Sequence, residues 1–226
     1  MKQTVLVGAA MLALGLANEA RAAAFQNGGF ENPAGSGRSI TFLNADTANF
    51  LPGWTHSQAS SEFRVCGNNF GFTAGAGNCY LGWGANGATG GTLSQTFDTV
   101  IGDTYTVNYL LTTQQLQGNL PLQSNSVAAI SGVNTLASVG NTFNMVAGDW
   151  QQGNVLTFVA DSTSTTLRFT DLTTSTNSFP INWGLDAITV VGTSPINNGT
   201  GVPEPSTYMM AAAGLGLMAY WRRRGV

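Results

Sequence analysis

Few residues in this chain have the types and spacing that catalysis requires. His56 is the only histidine, and no serine lies in a nucleophile-elbow context, so a Ser-His-Asp arrangement has no support. A glycosidase needs two carboxylates facing each other across a cleft, and no stretch singles out two of the acids. We therefore expect a protein that is not an enzyme; a secreted polysaccharide hydrolase is the alternative that such an acid pair would favour.

The N-terminal residues predict export. A basic start, Met1 and Lys2, precedes an apolar stretch over residues 5–16, with small residues after it at Ala20, Ala22 and Ala24. This pattern is typical of a secretory signal peptide, here residues 1–24, which the secretion translocon recognises and signal peptidase removes. The alternative is an N-terminal membrane anchor, but an apolar core of about a dozen residues is short for one.

Two cysteines, Cys66 and Cys79, are the only ones in the chain. Because an even cysteine count in an exported chain indicates a disulfide, we expect these two to pair and not to act as nucleophiles. Closing a loop of this size stabilises a domain by roughly 3 kcal/mol in the chain-entropy model.

The composition between the two ends excludes one class of partner. Residues 25–201 contain three arginines, no lysine and nine acidic residues, which gives a formal charge of −6. Nucleic-acid binding requires clustered basic residues, so no nucleic-acid partner is expected. Ser, Thr, Asn, Gln and Gly supply the polarity instead. Such groups suit polyhydroxy ligands, and they are equally typical of secreted β-proteins.

Short segments with alternating polarity predict strands in residues 25–192. Residues 92–97 and 105–109 alternate strictly, and we expect them to form an antiparallel hairpin with residues 98–103 as its turn. Similar segments lie at 62–66, 79–83, 126–130, 155–159, 165–169 and 185–191. Many short strands separated by turns predict one all-β domain, an antiparallel β-sandwich or barrel, with one or two short helical turns. Residues 193–201 are then a linker.

The last 25 residues contain three successive features. Val202, Pro203, Glu204, Pro205, Ser206 and Thr207 come first, and the prolines favour an extended segment. Residues 207–221 are uncharged and apolar, and Arg222, Arg223 and Arg224 follow. A membrane span needs about 17 residues or more, so this helix of 15 residues is a marginal transmembrane helix, lengthened by snorkelling arginines. The arginines stay on the cytoplasmic side, which places the domain outside.

This order of features resembles the PEP-CTERM sorting signal of Gram-negative bacteria. The resemblance implies that exosortase, a membrane transpeptidase-like enzyme, processes the chain near residues 202–207. It also implies a host that makes an exopolysaccharide in a biofilm or floc matrix. The domain would stand in the periplasm during a transient inner-membrane stage and later reach the outer surface or the extracellular matrix. A plain membrane anchor with a chance Pro-Glu-Pro sequence is the alternative.

The domain itself resembles the galactose-binding-like jelly roll, most closely a plant and bacterial cell-wall domain family of unknown function. Short motifs along nearly all of residues 25–191 carry the resemblance, at 27–31, 51–54, 93–97, 101–107, 150, 165–169 and 184–188. In that fold the first and last strands commonly lie close together, and the family often has a structural calcium there. The resemblance matches Glu31 and Asp186 to two of its ligands. Ala187 stands where many relatives have a second acid or an asparagine. In the alternative, the two carboxylates pair only with backbone amides or water.

Five aromatic residues are candidates for stacking on sugar rings, namely Trp54, Tyr80, Trp83, Trp150 and Trp183. Aromatic residues of a β-sandwich more often lie in the core, which we expect for Trp54 and Trp150. Trp83, between Gly82 and Gly84, is the better candidate for an exposed ligand contact. The sequence therefore predicts an exported surface or matrix protein that associates with exopolysaccharide. The alternative is a structural or adhesive matrix protein with no sugar ligand.

Overall fold

The computed structural model describes residues 24–34, 39–42, 51–57, 63–68, 73–83, 90–113, 122–144, 148–173 and 183–193. These residues form twelve strands: β1 (Ser39–Phe42), β2 (Thr55–His56), β3 (Phe63–Cys66), β4 (Cys79–Trp83), β5 (Thr92–Asp98), β6 (Thr104–Thr113), β7 (Gln123–Ser131), β8 (Asn134–Phe143), β9 (Gln151–Gln152), β10 (Leu156–Val159), β11 (Ser164–Asp171) and β12 (Trp183–Gly192).

Several predictions fall on parts of the chain outside these ranges. The signal peptide, apart from Ala24, and the sorting signal over residues 202–226 lie there, as does all of the linker but Thr193. Across the described ranges there is no helix that is long and apolar enough to span a membrane.

The strands form two antiparallel sheets. Sheet A has seven strands in the order β1-β3-β4-β12-β6-β10, with β9 also paired to β6, and sheet B has five in the order β2-β5-β11-β7-β8. Every strand pair is antiparallel. The predicted all-β antiparallel sandwich is therefore confirmed. The described residues contain none of the short helical turns that the sequence suggested.

The core lies between the sheets because alternate side chains of each strand point inward. In β5, Leu93, Gln95 and Phe97 are buried while Ser94 and Thr96 face out. Sheet A contributes Tyr105, Val107 and Tyr109 from β6. The Tyr105 ring stacks on Phe158 with centroids 5.3 Å apart.

The predicted hairpin between β5 and β6 is wrong, although both strands exist. β5 pairs with β2 and β11 in sheet B, whereas β6 pairs with β12, β10 and β9 in sheet A. The turn between them, with Gly102 at φ +86°, carries the chain from one sheet to the other. The hairpin lies further along, where β7 pairs with β8 around Gly132 at φ +57°, a conformation that suits glycine.

The N-terminal segment crosses the last strand at close range. The Ile188 N–H donates to the Gly28 carbonyl at 3.0 Å, and a Cβ on Gly28 would lie 2.0 Å from the Ile188 carbonyl oxygen. Phe30, just after this crossing, is fully buried, while Glu31 points outward. Only glycine fits at residue 28.

Candidate functional site

Asp186 points away from the core, directly before a β-bulge in β12. Leu185 and Ile188 are both buried core residues, but a regular strand would put residues three apart on opposite faces. The register against β6 shifts between Asp186 and Thr189, so one extra residue is accommodated there. Ala187 has φ +50°, in the left-handed region that Asn, Asp and Gly adopt more readily. Asp186, the neighbour of the inward Leu185 and the register partner of Leu110, lies on the outer face of sheet A, where it is nevertheless fully buried.

Backbone N–H groups of residues 76–79 bind both predicted carboxylates. Glu31 Oε1 accepts from the N–H groups of Asn78 at 2.7 Å and Cys79 at 2.8 Å. Asp186 Oδ2 accepts from the Ala76 N–H at 2.9 Å, and its Oδ1 accepts from the Ala187 N–H at 2.6 Å. The structure thus brings together two acids that are far apart in the sequence.

Two glycines leave room for these carboxylates. Gly77 has φ +66°, and a Cβ there would lie 2.4 Å from Glu31 Oε1. Gly29 lies beside both acids, since a Cβ on it would be 3.8 Å from Glu31 Cγ and 4.0 Å from Asp186 Oδ1. A side chain at residue 77 would therefore displace Glu31, whereas a methyl group at residue 29 would only contact the pair.

The electrostatics of this pair favour a bound positive charge. Burial raises the pKa of Asp186 to about 7, and the charge of Glu31 raises it further. Three backbone hydrogen bonds, from Ala76, Ala187 and Gly75, lower it. The nearest described cation is the buried Arg64. Its guanidinium donates to the carbonyl oxygens of Phe30 (2.6 Å) and Pro33. Burial lowers the pKa of Arg64, while the Glu31 charge raises it.

The two carboxylates supply part of what a calcium ion requires. Ca²⁺ takes about six to eight oxygen ligands, including backbone carbonyls and waters. Glu31 and Asp186 supply carboxylate oxygens, but no third Asp, Glu, His or Cys joins them among the described residues. The pair fits a site with two carboxylates, completed by carbonyl or water oxygens. Glu31 and Asp186 would hold the ion, which would supply positive charge to a buried carboxylate.

The predicted disulfide is present next to this pair. Cys66 and Cys79 are register partners on β3 and β4, and they form a disulfide with their Cα atoms 4.1 Å apart. The residues between them include the N–H donors 76–78. The disulfide therefore anchors both ends of the segment that binds the two carboxylates.

Trp83 is not the exposed contact that its glycine neighbours suggested. It is fully buried in the core and stacks on Trp183 with centroids 4.3 Å apart. Trp54, Tyr80 and Trp183 are buried as well, which confirms the core placement of Trp54. The core placement expected for Trp150 is wrong. Trp150 lies half-buried over the outer face of sheet A, against the Tyr80 ring at 5.6 Å, with its indole N–H donating to the Thr73 carbonyl.

The outer face of sheet B carries hydroxyl groups in register, a feature that the sequence reasoning missed. Alternate residues of β5, β11 and β7 are buried, so the residues between them point outward. These outward residues are Thr92, Ser94, Thr96, Asp98, Ser164, Thr166, Arg168, Thr170, Ser124, Ser126, Ala128 and Ile130. Neighbouring strands place Thr96 beside Thr166, and their hydroxyl oxygens lie 2.7 Å apart. Two of these residues are charged: Arg168 lies between Ser94 and Ala128, and Asp98 lies beside Ser164.

A family model described as the PEP-CTERM protein-sorting motif matches residues 201–224. These residues are a PEP-CTERM sorting motif. The motif indicates an exported protein that is anchored in the membrane transiently. It includes all of the residues that suggested it, from Val202 to Arg224. No curated protein matches the sequence.

Solved structures show the same fold at low sequence identity. A Stig cyclase, Fisc from Fischerella sp. TAU, shares 16% identity over 76% of this chain and 96% of that chain, with a TM-score of 0.54. An arabinose-bound α-L-arabinofuranosidase, MgGH51, shares 11% identity over 77% of this chain and 27% of that chain, with a TM-score of 0.50. The TmCBM61 structure in complex with β-1,4-galactotriose has 14% identity over 74% and 96% of the two chains and a TM-score of 0.44. The likenesses to the cyclase and the arabinofuranosidase show the fold of the domain and nothing of its activity.

Proposed function

We propose that this protein is an exosortase substrate whose β-sandwich binds exopolysaccharide at the outer surface or in the extracellular matrix of a Gram-negative bacterium. In this proposal it is a binding protein and not an enzyme. The observation that carries the proposal is the sorting motif at residues 201–224 on the same chain as a sandwich with a hydroxyl-lined outer face.

The chemistry of that face suits a neutral or weakly charged sugar polymer. Each Ser or Thr hydroxyl both donates and accepts hydrogen bonds, as each sugar hydroxyl does. Arg168 adds an exposed donor with no competing acid among the outward residues of β11. None of the outward residues of β5, β7 and β11 is aromatic, so single contacts would be weak. Affinity would come from many repeats of a polymer binding along the face.

A pull-down tests the sugar part of the proposal. The full chain should be retained by exopolysaccharide from its host, and the triple variant Thr96→Val, Thr166→Val, Arg168→Ala should lose most of that retention. Thr157→Val, an exposed threonine on the opposite sheet, is the matched control and should bind like the parent. If the triple variant were retained as well as the Thr157→Val control, the sugar contact would not lie on this face. If the parent chain were not retained, the proposal of sugar binding would be overturned.

The sorting part has its own test. Deleting the exosortase gene should leave a larger, membrane-held product, because processing near residues 202–207 no longer occurs. An unchanged size and location would contradict exosortase dependence, whatever the sugar experiment shows.

A protein-contact role is the second candidate, and one observation favours it. Val159 and Val191 are 56% and 58% exposed on the outer face of sheet A, on either side of β6. Two exposed valines on the same sheet face favour contact with another protein surface. Sedimentation showing self-association without added glycan, lost in Val159→Thr plus Val191→Thr, would support this matrix role.

We further propose that Glu31 and Asp186 hold a structural calcium ion. The support is the pair of adjacent carboxylates, one of them fully buried with its pKa raised by burial.

A further inference from the structure

Three polar side chains lie side by side on the inward face of sheet B. Asp171 on β11 is the register partner of Asn125 on β7, which is in turn the register partner of Asn141 on β8. All three are buried, with exposed fractions of 3%, 1% and 7%. Burying a polar group without a hydrogen-bond partner costs free energy, so each donor and acceptor in this row needs one.

Backbone partners fix the orientation of Asn141. The Asn154 N–H donates to Asn141 Oδ1 at 2.7 Å, so the other side-chain atom must be the amide nitrogen. That nitrogen donates to the hydroxyl of Tyr109 and to Asn125 Oδ1, at 2.8 and 2.7 Å. The Tyr109 hydroxyl donates onward to the Asn154 carbonyl. The β8 end of the row is therefore complete.

The orientation of Asn125 follows from that of Asn141. Its Oδ1 is the acceptor facing β8, so its Nδ2 must be the atom on the other side, where Asp171 is its neighbour across the strands. This Nδ2 is buried and has no hydrogen-bond partner among the residues that the structure describes. Turning the amide over would set two nitrogen donors against each other, so a flip does not remove the unpaired donor.

Asp171 has acceptor capacity to spare. Its Oδ1 accepts from the Thr173 N–H at 3.0 Å and from the Trp183 indole N–H at 3.1 Å, and its Oδ2 accepts from the Gly90 N–H at 3.1 Å. The Thr173 hydroxyl is also within reach of this carboxylate, but its single proton has the Ser124 carbonyl as an alternative acceptor at 3.3 Å. When that hydroxyl donates to Ser124, about one of the roughly four lone-pair sites of the ionised carboxylate stays open. An unpaired donor thus lies beside a carboxylate with room for one more donor.

We propose that Asn125 and Asp171 together bind one hydroxyl-bearing molecule. Its oxygen accepts from Asn125 Nδ2, and its O–H donates to the Asp171 carboxylate. A hydroxyl is the group that can do both from a single atom. Water and a sugar hydroxyl share this chemistry, and the row is lined by the polar groups that a buried water requires. The inference does not depend on the proposed polysaccharide binding.

Trp183 is a built-in reporter for this site. Its indole N–H donates to the same carboxylate, and its ring stacks on Trp83. A change in what Asp171 accepts should therefore change the Trp183 indole N–H resonance.

High-resolution crystal structures of the full chain, without and with D-galactose, test the proposal. We expect an ordered oxygen within hydrogen-bond distance of both Asn125 Nδ2 and an Asp171 carboxylate oxygen. A water that persists in galactose identifies water as the occupant, and a galactose hydroxyl in its place identifies a sugar. Absence of an ordered atom, or a direct bond from Asn125 Nδ2 to Asp171, would overturn the proposal.

Variants provide a second readout. Asn125→Leu should remove the bound oxygen and shift the Trp183 indole resonance. Ser126→Ala, whose side chain points to the opposite face, should change neither. If Asn125→Leu does not fold, the electron density of the parent protein still decides the question.

Discussion

Glu31 accepts a 2.8 Å hydrogen bond from the backbone N–H of Cys79, so a candidate metal ligand is held by one half of the disulfide. Asp186 is held by Ala76, inside the loop that the same disulfide closes. Stability and the candidate metal centre are therefore linked through residues 66–79.

Removing the disulfide should destabilise the domain. In the chain-entropy model, closing a loop with a separation of 13 residues stabilises by roughly 3 kcal/mol, so Cys66→Ala plus Cys79→Ala should lower the free energy of unfolding by about that amount. Denaturant unfolding measures the loss. Reductant should cause the same loss of stability in the parent chain and have no effect on the double variant. If neither the double substitution nor reductant changed the unfolding midpoint, the structural role of the disulfide would be contradicted.

The stability of the ion-free protein should fall as the pH rises from about 4 to about 7. Burial raises the pKa of Asp186 to about 7 in the folded state, above its ordinary value, so the folded state binds this proton more tightly than the unfolded state does. The stabilisation is complete below the unfolded pKa and is lost as the pH rises through the folded pKa. A shift of roughly three pKa units corresponds to about 4 kcal/mol as an upper limit.

Unfolding measured in chelator across this pH range tests the assignment to Asp186. Asp186→Asn should flatten most of the slope. Burial also raises the pKa of Asp171, so this group contributes the rest of the pH dependence of stability, in the same direction. A variant as pH-dependent as the parent would show that Asp186 is not the titrating group.

Calcium should stabilise the protein at neutral pH. The ion binds the ionised carboxylates of the folded chain, so calcium at 100 times its dissociation constant should add about 2.7 kcal/mol, and chelator should remove this gain. Melting with and without chelator measures it. Glu31→Gln and Asp186→Asn should abolish the response, whereas Asp161→Asn, an exposed acid outside the pair, should retain it. A parent protein whose melting ignores calcium would rule the site out.

The neighbouring glycines 28 and 29 should respond differently to alanine. A Cβ at Gly28 would lie 2.0 Å from the Ile188 carbonyl oxygen, so Gly28→Ala must separate the N-terminal segment from β12. We expect a loss of about 2 kcal/mol or more, in the range of other strained core substitutions. Gly29→Ala meets only ordinary contacts and should change the free energy of unfolding by less than about 1 kcal/mol. Equal effects would show that the crossing at Gly28 is looser than described.

Alternation predicted strands and their inward faces but not their partners. Leu93 and Phe97 point into the core as the pattern of β5 required. The same pattern cannot show which sheet the next strand joins, because pairing depends on contacts that are distant in sequence. β8 was missed because this edge strand is largely exposed and its residues lack sustained apolar alternation.

The candidate metal pair was predicted only through a family resemblance. The N–H groups that bind Glu31 and Asp186 belong to the backbone, which has no side-chain signature in the sequence beyond glycines such as Gly77. Trp83 was misplaced because its glycine neighbours suggested a loop. In the structure Gly82 pairs with Gly184 inside sheet A, which fixes Trp83 on the inward side.

The direction of β12 gives the sandwich two different poles. The strand begins at Trp183, next to Asp171, and ends at the opposite end, where the Thr193 N–H bonds the Thr104 carbonyl. The chain continues from Thr193 towards the sorting motif at residues 201–224. The pole with Trp183 and Asp171 is therefore the end of the sandwich opposite to the residue from which the chain runs on to its sorting motif.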